Sequence, residues 1–200
     1  YNLFLFFFVR DRSYLFYVIY IASYGMVQMA YNGMAFEYLW PGLPAWHNIS
    51  LPFLIGNAVF WMALFSKNFL HSRDHSALMD RIITAVAILS GGMMVFSVAG
   101  NYLAAIRAAM LLMVFASGVI VAAGAVVLRK GYRPARFFLI SWAAFLAGMM
   151  LIALNKLSVV PSVFITEYAI QIGSALEVTL LSVGLADRIN VINEEKRIAQ

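Results

Sequence analysis

The run from Leu103 to Leu128, LAAIRAAMLLMVFASGVIVAAGAVVL, holds one charged residue, Arg107, and no proline. A helix rises about 1.5 Å per residue, so roughly 20 such residues cross a hydrocarbon core about 30 Å thick. The stretch therefore reads as a membrane span. Outward from it, similar runs cover Tyr14 to Phe36, Leu51 to Phe69, Ile82 to Val98, Ala135 to Leu154 and Phe164 to Ala186, separated by short polar patches. The apolar stretch Leu3 to Val9 reads as the end of one further span, cut short. The expected fold is all-α: a polytopic transmembrane helix bundle, with a first-span remnant and six full spans, continued by a C-terminal cytoplasmic helix. Residues 1–186 form the membrane part in this reading, and 187–200 begin the cytoplasmic helix or coiled coil.

Composition agrees. Apolar residues make up 64% of the chain and charged residues 12%, which is too much hydrocarbon for a water-soluble domain of this length. The two-residue alternation of an outer-membrane barrel is absent. With no cysteine, a disulfide framework, a thiolate metal site and cysteine catalysis are all excluded. Pro41, Pro44, Pro52, Pro134 and Pro161 are expected at span starts or in connections, where a missing N–H costs little. Gly118 with Ala122, and Ala144 with Gly148, place small residues four apart and are expected to allow close helix approach within the chain first and between chains second. The Gly91-Gly92 pair reads as packing in the same way.

The net charge of +5 raises the question of nucleic acid, but the cations are spread among connections and do not form one face. Arg10 and Arg12; Lys67, Arg73 and Arg81; Arg129, Lys130, Arg133 and Arg136; and Arg188, Lys196 and Arg197 alternate between spans as cytoplasmic loops do. Of the 14 Lys and Arg residues only Arg107 and Lys156 fall on the other side. The orientation that follows has an outer N-terminus, seven spans and a cytoplasmic C-terminus, with the lipid bilayer as partner and no nucleic acid. The outer connection from Glu37 to Asn48 carries Trp40 and Trp46, a composition suited to the membrane interface.

Polar residues inside spans are candidates for a signal-sensing or ligand-binding site. Glu167, Gln171, Ser174 and Glu177 recur at helical spacing in the last span, and Glu177 lies near mid-depth. A carboxylate there costs roughly 2.5–3.5 kcal/mol on insertion scales unless paired, protonated or hydrated, so it is expected to face the interior. Gln28 and Asn32, with Tyr24, and Asn57 with Trp61, offer polar groups on two other spans. They read either as a small-molecule or proton-responsive pocket or as interhelical hydrogen bonds holding the bundle together. Beyond the membrane, Leu185, Ile189, Ile192, Lys196 and Ala199 follow a four-three spacing, the seam of a short coiled coil and a candidate signal-relay helix in a homodimer; a plain amphipathic juxtamembrane stretch is the alternative.

His71, Asp74 and His75 resemble a helical metal pair, but no third strong ligand lies within reach and the glutamate of a zinc hydrolase motif is missing, so no metal is expected. No glycine-rich phosphate loop, nucleophile elbow or acid–base pair is present, and neither an enzyme nor a cofactor is expected in this segment.

Several connecting segments carry a family resemblance. They are Tyr1-Asn2 with Arg10-Asp11-Arg12-Ser13-Tyr14-Leu15; Asn32-Gly33-Met34-Ala35-Phe36 followed by Tyr38-Leu39-Trp40-Pro41; Phe69-Leu70 with Asp80-Arg81; Gly131-Tyr132-Arg133-Pro134-Ala135-Arg136-Phe137-Phe138; and the long run from Thr166-Glu167-Tyr168 through Gln171-Ile172-Gly173-Ser174-Ala175-Leu176-Glu177 to Leu185-Ala186-Asp187-Arg188-Ile189-Asn190. Taken in this order, the chain resembles the seven-transmembrane receptors with diverse intracellular signalling modules, a bacterial family. The resemblance implies an outer sensory domain before the first span. It also implies a cytoplasmic output such as a histidine kinase or diguanylate cyclase after the last, in the bacterial inner membrane. It assigns no ligand residues. The expected function is a sensor and transducer that passes a signal by helix repacking to an effector module in the same chain. The alternative is a transporter or a proton- or ion-conducting protein using Glu177, which would favour broken spans and an internal repeat, neither of which is seen. A retinal photoreceptor would need a lysine in the last span, and there is none.

Overall fold

The computed structural model describes residues 11–198, with side chains at all of them except 153, 156 and 189–198. The Leu3 to Val9 remnant lies outside the described residues. Every regular element among the described residues is helical, consistent with a polytopic helical bundle. They are α1 (Arg12–Tyr31), α2 (Met34–Tyr38), α3 (Pro44–Phe69), α4 (Ser72–His75), α5 (Ala77–Ala99), α6 (Tyr102–Arg129), α7 (Ala135–Lys156), α8 (Phe164–Glu167) and α9 (Ala169–Ile198). They fall into two compact units that divide between Ala123 and Gly124, inside α6.

Five of these helices are long and apolar enough to cross a membrane: α3, α5, α6, residues Ala135–Ile152 of α7 and residues Ala169–Arg188 of α9. The sixth expected full span corresponds to α1, which has the length, 20 residues, but not the hydropathy. Its tyrosines and Gln28 dilute the apolar run. The tyrosines serve packing instead: Tyr14, Tyr17 and Tyr20 are buried at three-residue steps, with Tyr17 and Tyr20 against Phe65 of α3 at ring-centroid distances of 5.2 and 6.3 Å.

In the first unit, Asp11 caps α1 by accepting from the Ser13 N–H at 2.9 Å, satisfying a donor that a helix start leaves open. The expected span Tyr14 to Phe36 ends early, at Tyr31, because Gly33 takes a left-handed φ of 79° that side chains resist. A second correction concerns Pro52. The α3 helix begins seven residues before the expected Leu51, with Pro44 at its first turn, so Pro52 falls inside a helix. There it removes the bond its N–H would make to the Asn48 carbonyl. Gly56 brings α3 close to α5: a Cβ there would meet the Ser90 carbonyl oxygen at 3.3 Å. The Gly91-Gly92 pair and Gly118 make no such approach, since nothing lies within 4 Å of a Cβ built at any of the three; those packing expectations are not met within the described residues.

The second unit is built on the antiparallel pair α7 and α9. Gly131, at φ 92°, ends α6 with its N–H donating to the Leu128 carbonyl at 2.9 Å. The last expected span, Phe164 to Ala186, is broken at Tyr168 into the single turn α8 and the long α9. The connection before it is held by side chains. Thr166 Oγ1 donates to the Pro161 carbonyl (2.8 Å) and accepts from the Val163 N–H (2.9 Å), and Asn155 Nδ2 donates to Ser162 Oγ (3.0 Å).

Candidate functional site

Each unit places some of the expected polar residues. In the first, Asn57 of α3 donates through Nδ2 to Ser23 Oγ of α1 at 2.9 Å and accepts from Trp61 Nε1 at 3.2 Å. This relay links two helices through half-buried groups, and the Trp61 ring sits 5.9 Å from that of Phe16. Gln28 is not part of it: its Nε2 donates to Tyr24 Oη on the same helix at 2.7 Å. Asn32 is exposed and donates to the Gln28 backbone carbonyl at 2.8 Å, closing the end of α1. Ser23 was not singled out from the sequence; its proximity to Tyr24 and Gln28 on the helix was the only available cue. Around the start of α3, Trp40, Trp46 and Phe53 form a ring cluster with centroids 6.3 and 5.7 Å apart.

At the other end of α3 lies a charged cluster that the sequence reading missed. Lys67 Nζ is 3.2 Å from Asp80 Oδ2 and donates to Thr84 Oγ1 at 2.7 Å. Ser72, fully buried, donates to Asp80 Oδ1 at 2.8 Å. The arrangement fastens the α3–α5 connection. A lone Asp eight residues after a buried Ser is a weak signal, and only the fold brings Lys67 to it. The neighbouring histidines do not converge on one point. His71 Nδ1 lies 3.4 Å from Asp74 Oδ2, while His75 Nδ1 lies 3.0 Å from the His71 carbonyl oxygen. No group of three or more potential ligands forms among the described residues.

In the second unit the polar face of the last span is divided. Glu177 is 1% exposed, whereas Glu167 and Gln171 are exposed and Ser174 is half-buried, donating to the Gln171 carbonyl at 2.9 Å. The break at Tyr168 sets Glu167 on a different helical turn, and the buried stripe of α9 runs at steps of four through Ala169, Gly173, Glu177, Leu181 and Leu185. Glu177 therefore shares its face with small and aliphatic residues, not with Gln171. Ile189 and Ile192 lie in the same helix, but their side chains are outside the described set.

Gly173 shows what that stripe does. A Cβ on it would meet the Ala144 carbonyl oxygen at 3.1 Å and Gly148 Cα at 3.3 Å, and a Cβ on Gly148 would meet the Ala169 carbonyl oxygen at 2.5 Å. Two small pairs, Ala144/Gly148 and Ala169/Gly173, thus bring the backbones of α7 and α9 into contact. The first pair is legible in the sequence. Its partner has the same four-residue spacing and would have been found by the same rule. Toward the far end of the helix pair, Arg136 Nη2 approaches Asp187 Oδ2 at 3.8 Å with its guanidinium carbon 4.7 Å from the Phe137 ring centroid. Arg188 beside it is buried.

Comparison with known proteins adds one finding. A family model described as 7TM diverse intracellular signalling matches residues 1–188. No curated protein and no solved structure matches the chain. The match takes in both units, the α3–α5 connection, the α6–α7 turn and α9 through Arg188, the segments in which the resemblance was first visible. A chain with five membrane-length apolar helices and a match of that extent is a multi-pass membrane domain, and it belongs to the 7TM diverse intracellular signalling family.

Proposed function

We propose that this chain is the membrane transducer of a bacterial inner-membrane receptor, passing an extracytoplasmic or intramembrane signal through helix repacking to an output module that follows α9 on the cytoplasmic side. In this reading residues 1–186 receive the signal, 187–200 begin the relay, and the output enzyme, a histidine kinase or diguanylate cyclase, lies in the same polypeptide. One observation carries it: α9 is an unbroken helix from Ala169 to Ile198, and its membrane-length part packs backbone to backbone on α7. A continuous helix conveys a change in packing over its whole length, whereas a loop absorbs it. Glu177, buried on the packed face, is the residue whose state would bias that packing. A homodimer would pair the two copies of the helix along Leu185, Ile189 and Ile192.

The test uses the full-length receptor. One to seven residues are inserted after Arg188 and output is measured with and without stimulus. Each added residue turns the helix by about 100°, so a single insertion is expected to abolish or invert the response and seven residues to restore much of it. Output indifferent to every insertion would remove helix-borne relay. Single cysteines at Ile189 and Ile192 should crosslink between subunits, and the absence of any crosslink would remove the dimer. Unchanged output in Glu177→Gln across pH and ligands, together with collapse of uptake of a solute, would overturn the transducer reading.

A further inference from the structure

Between Asp80 and Glu167 the chain contains no acidic residue, yet the turn joining α6 to α7 carries Arg129, Lys130, Arg133 and Arg136, all exposed. Charge bias across a membrane accounts for cations in such a turn, but it supplies no counter-charge. At the α3–α5 connection a counter-charge is built in, with Lys67 on Asp80 at 3.2 Å. Here Asp187 lies 3.8 Å from Arg136, and Arg129 and Arg133 form no ion pair among the described residues. The turn is ordered by its own backbone bonds. The N–H groups of Gly131 and Tyr132 donate to the carbonyls of Leu128 and Val127, and those of Ala135 and Arg136 to the carbonyls of Tyr132 and Arg133. An anion would therefore be bound by side chains. Both flanking helices are long and apolar enough to cross a membrane, and Leu128 and Ile140 are exposed on either side of the turn. The cations thus sit where a hydrocarbon zone meets water.

We propose that this turn binds the headgroup of an anionic phospholipid, with Arg129 and Arg133 on the phosphate and the acyl chains along Leu128 and Ile140. Guanidinium groups suit the phosphate because their paired N–H donors match its oxygens.

The full chain in detergent is titrated with short-chain phosphatidylglycerol, with phosphatidylcholine of the same chain length, and with inorganic phosphate as competitor, and bound lipid is counted by native mass spectrometry. Each cation near an anionic headgroup contributes roughly fivefold, so two predict a preference for phosphatidylglycerol of about twenty-fivefold. R129Q/R133Q should lose that preference and R129K/R133K should keep most of it. Equal binding of the two lipids by the wild type, or a preference retained in R129Q/R133Q, overturns the proposal. Displacement of the lipid by inorganic phosphate at matched concentration assigns the site to a free anion and overturns it as well. If R129Q/R133Q fails to fold, the wild type is titrated at rising salt: weakening of phosphatidylglycerol binding alone is expected, and no change in it refutes the electrostatic site.

Discussion

Replacing Gly148 with alanine probes the closest helix contact in the second unit. The added Cβ would lie 2.5 Å from the Ala169 carbonyl oxygen, about 1 Å inside ordinary contact. The obstacle is backbone, so no side chain can swing away and α7 and α9 must separate. Overpacking of this kind costs about 1–3 kcal/mol. Against it stands the gain of about 1 kcal/mol that alanine brings to a helix interior. Gly92→Ala provides the reference, because nothing lies within 4 Å of a Cβ at Gly92 and only the propensity gain remains. The difference between the two variants isolates the crossing, and Gly148→Ala should be less stable than Gly92→Ala by about 1–3 kcal/mol. Gly173→Ala, with its nearest obstacle at 3.1 Å, should fall between them. Unfolding is followed in bicelles by far-UV circular dichroism under increasing SDS. Equal stability of Gly148→Ala and Gly92→Ala, or a larger loss in Gly173→Ala than in Gly148→Ala, would refute the crossing as described.

Further outcomes follow from the other contacts. Asn57→Ala should destabilise the first unit, and a double-mutant cycle with Ser23→Ala should return a coupling of about 0.6 kcal/mol, the usual size for hydrogen bonds between membrane helices; zero coupling would contradict the 2.9 Å bond. The Lys67–Asp80 pair, partly shielded from water, should give a coupling of up to about 1 kcal/mol in the corresponding cycle, and a coupling of zero would show that the ions do not interact. Gly33→Ala should cost about 1–2 kcal/mol, because Gly33 holds φ at 79° with no neighbour in the way; a neutral result would place the strain elsewhere.

The spans were legible because hydrocarbon length is a one-dimensional property: α3, α5, α6 and α7 lie where the apolar runs lie. Where a span stops was less legible, since that depends on single backbone angles. Gly33 ends α1 five residues before the run of apolar residues does, and the break at Tyr168 lies in that residue's own backbone angles, φ −101° and ψ 15°. The break takes Glu167 out of the phase of α9, whereas Gln171 and Glu177, both within α9, diverge because six positions at about 100° each leave them about 120° apart around the helix. Pairings across distance were not legible at all. Ser23 and Asn57 stand 34 positions apart, and nothing local in either segment names the other.

The crossing of α7 and α9 also limits how one helix can move on the other. A slide of one turn toward one end would bring Glu177 to the place held by Gly173, where even a methyl group is crowded by the Ala144 carbonyl. A slide the other way would bring Ala169 to the place held by Gly173, where its Cβ would meet the same carbonyl. The stripe is small over two positions only, so it works as a stop in both directions. Piston strokes of a full turn are sterically closed. The pair keeps its freedom to tilt about a fixed point near the start of α9, and over the roughly 20 Å of helix rise between Gly173 and Asp187 a few degrees there become an ångström or more at the Arg136 contact.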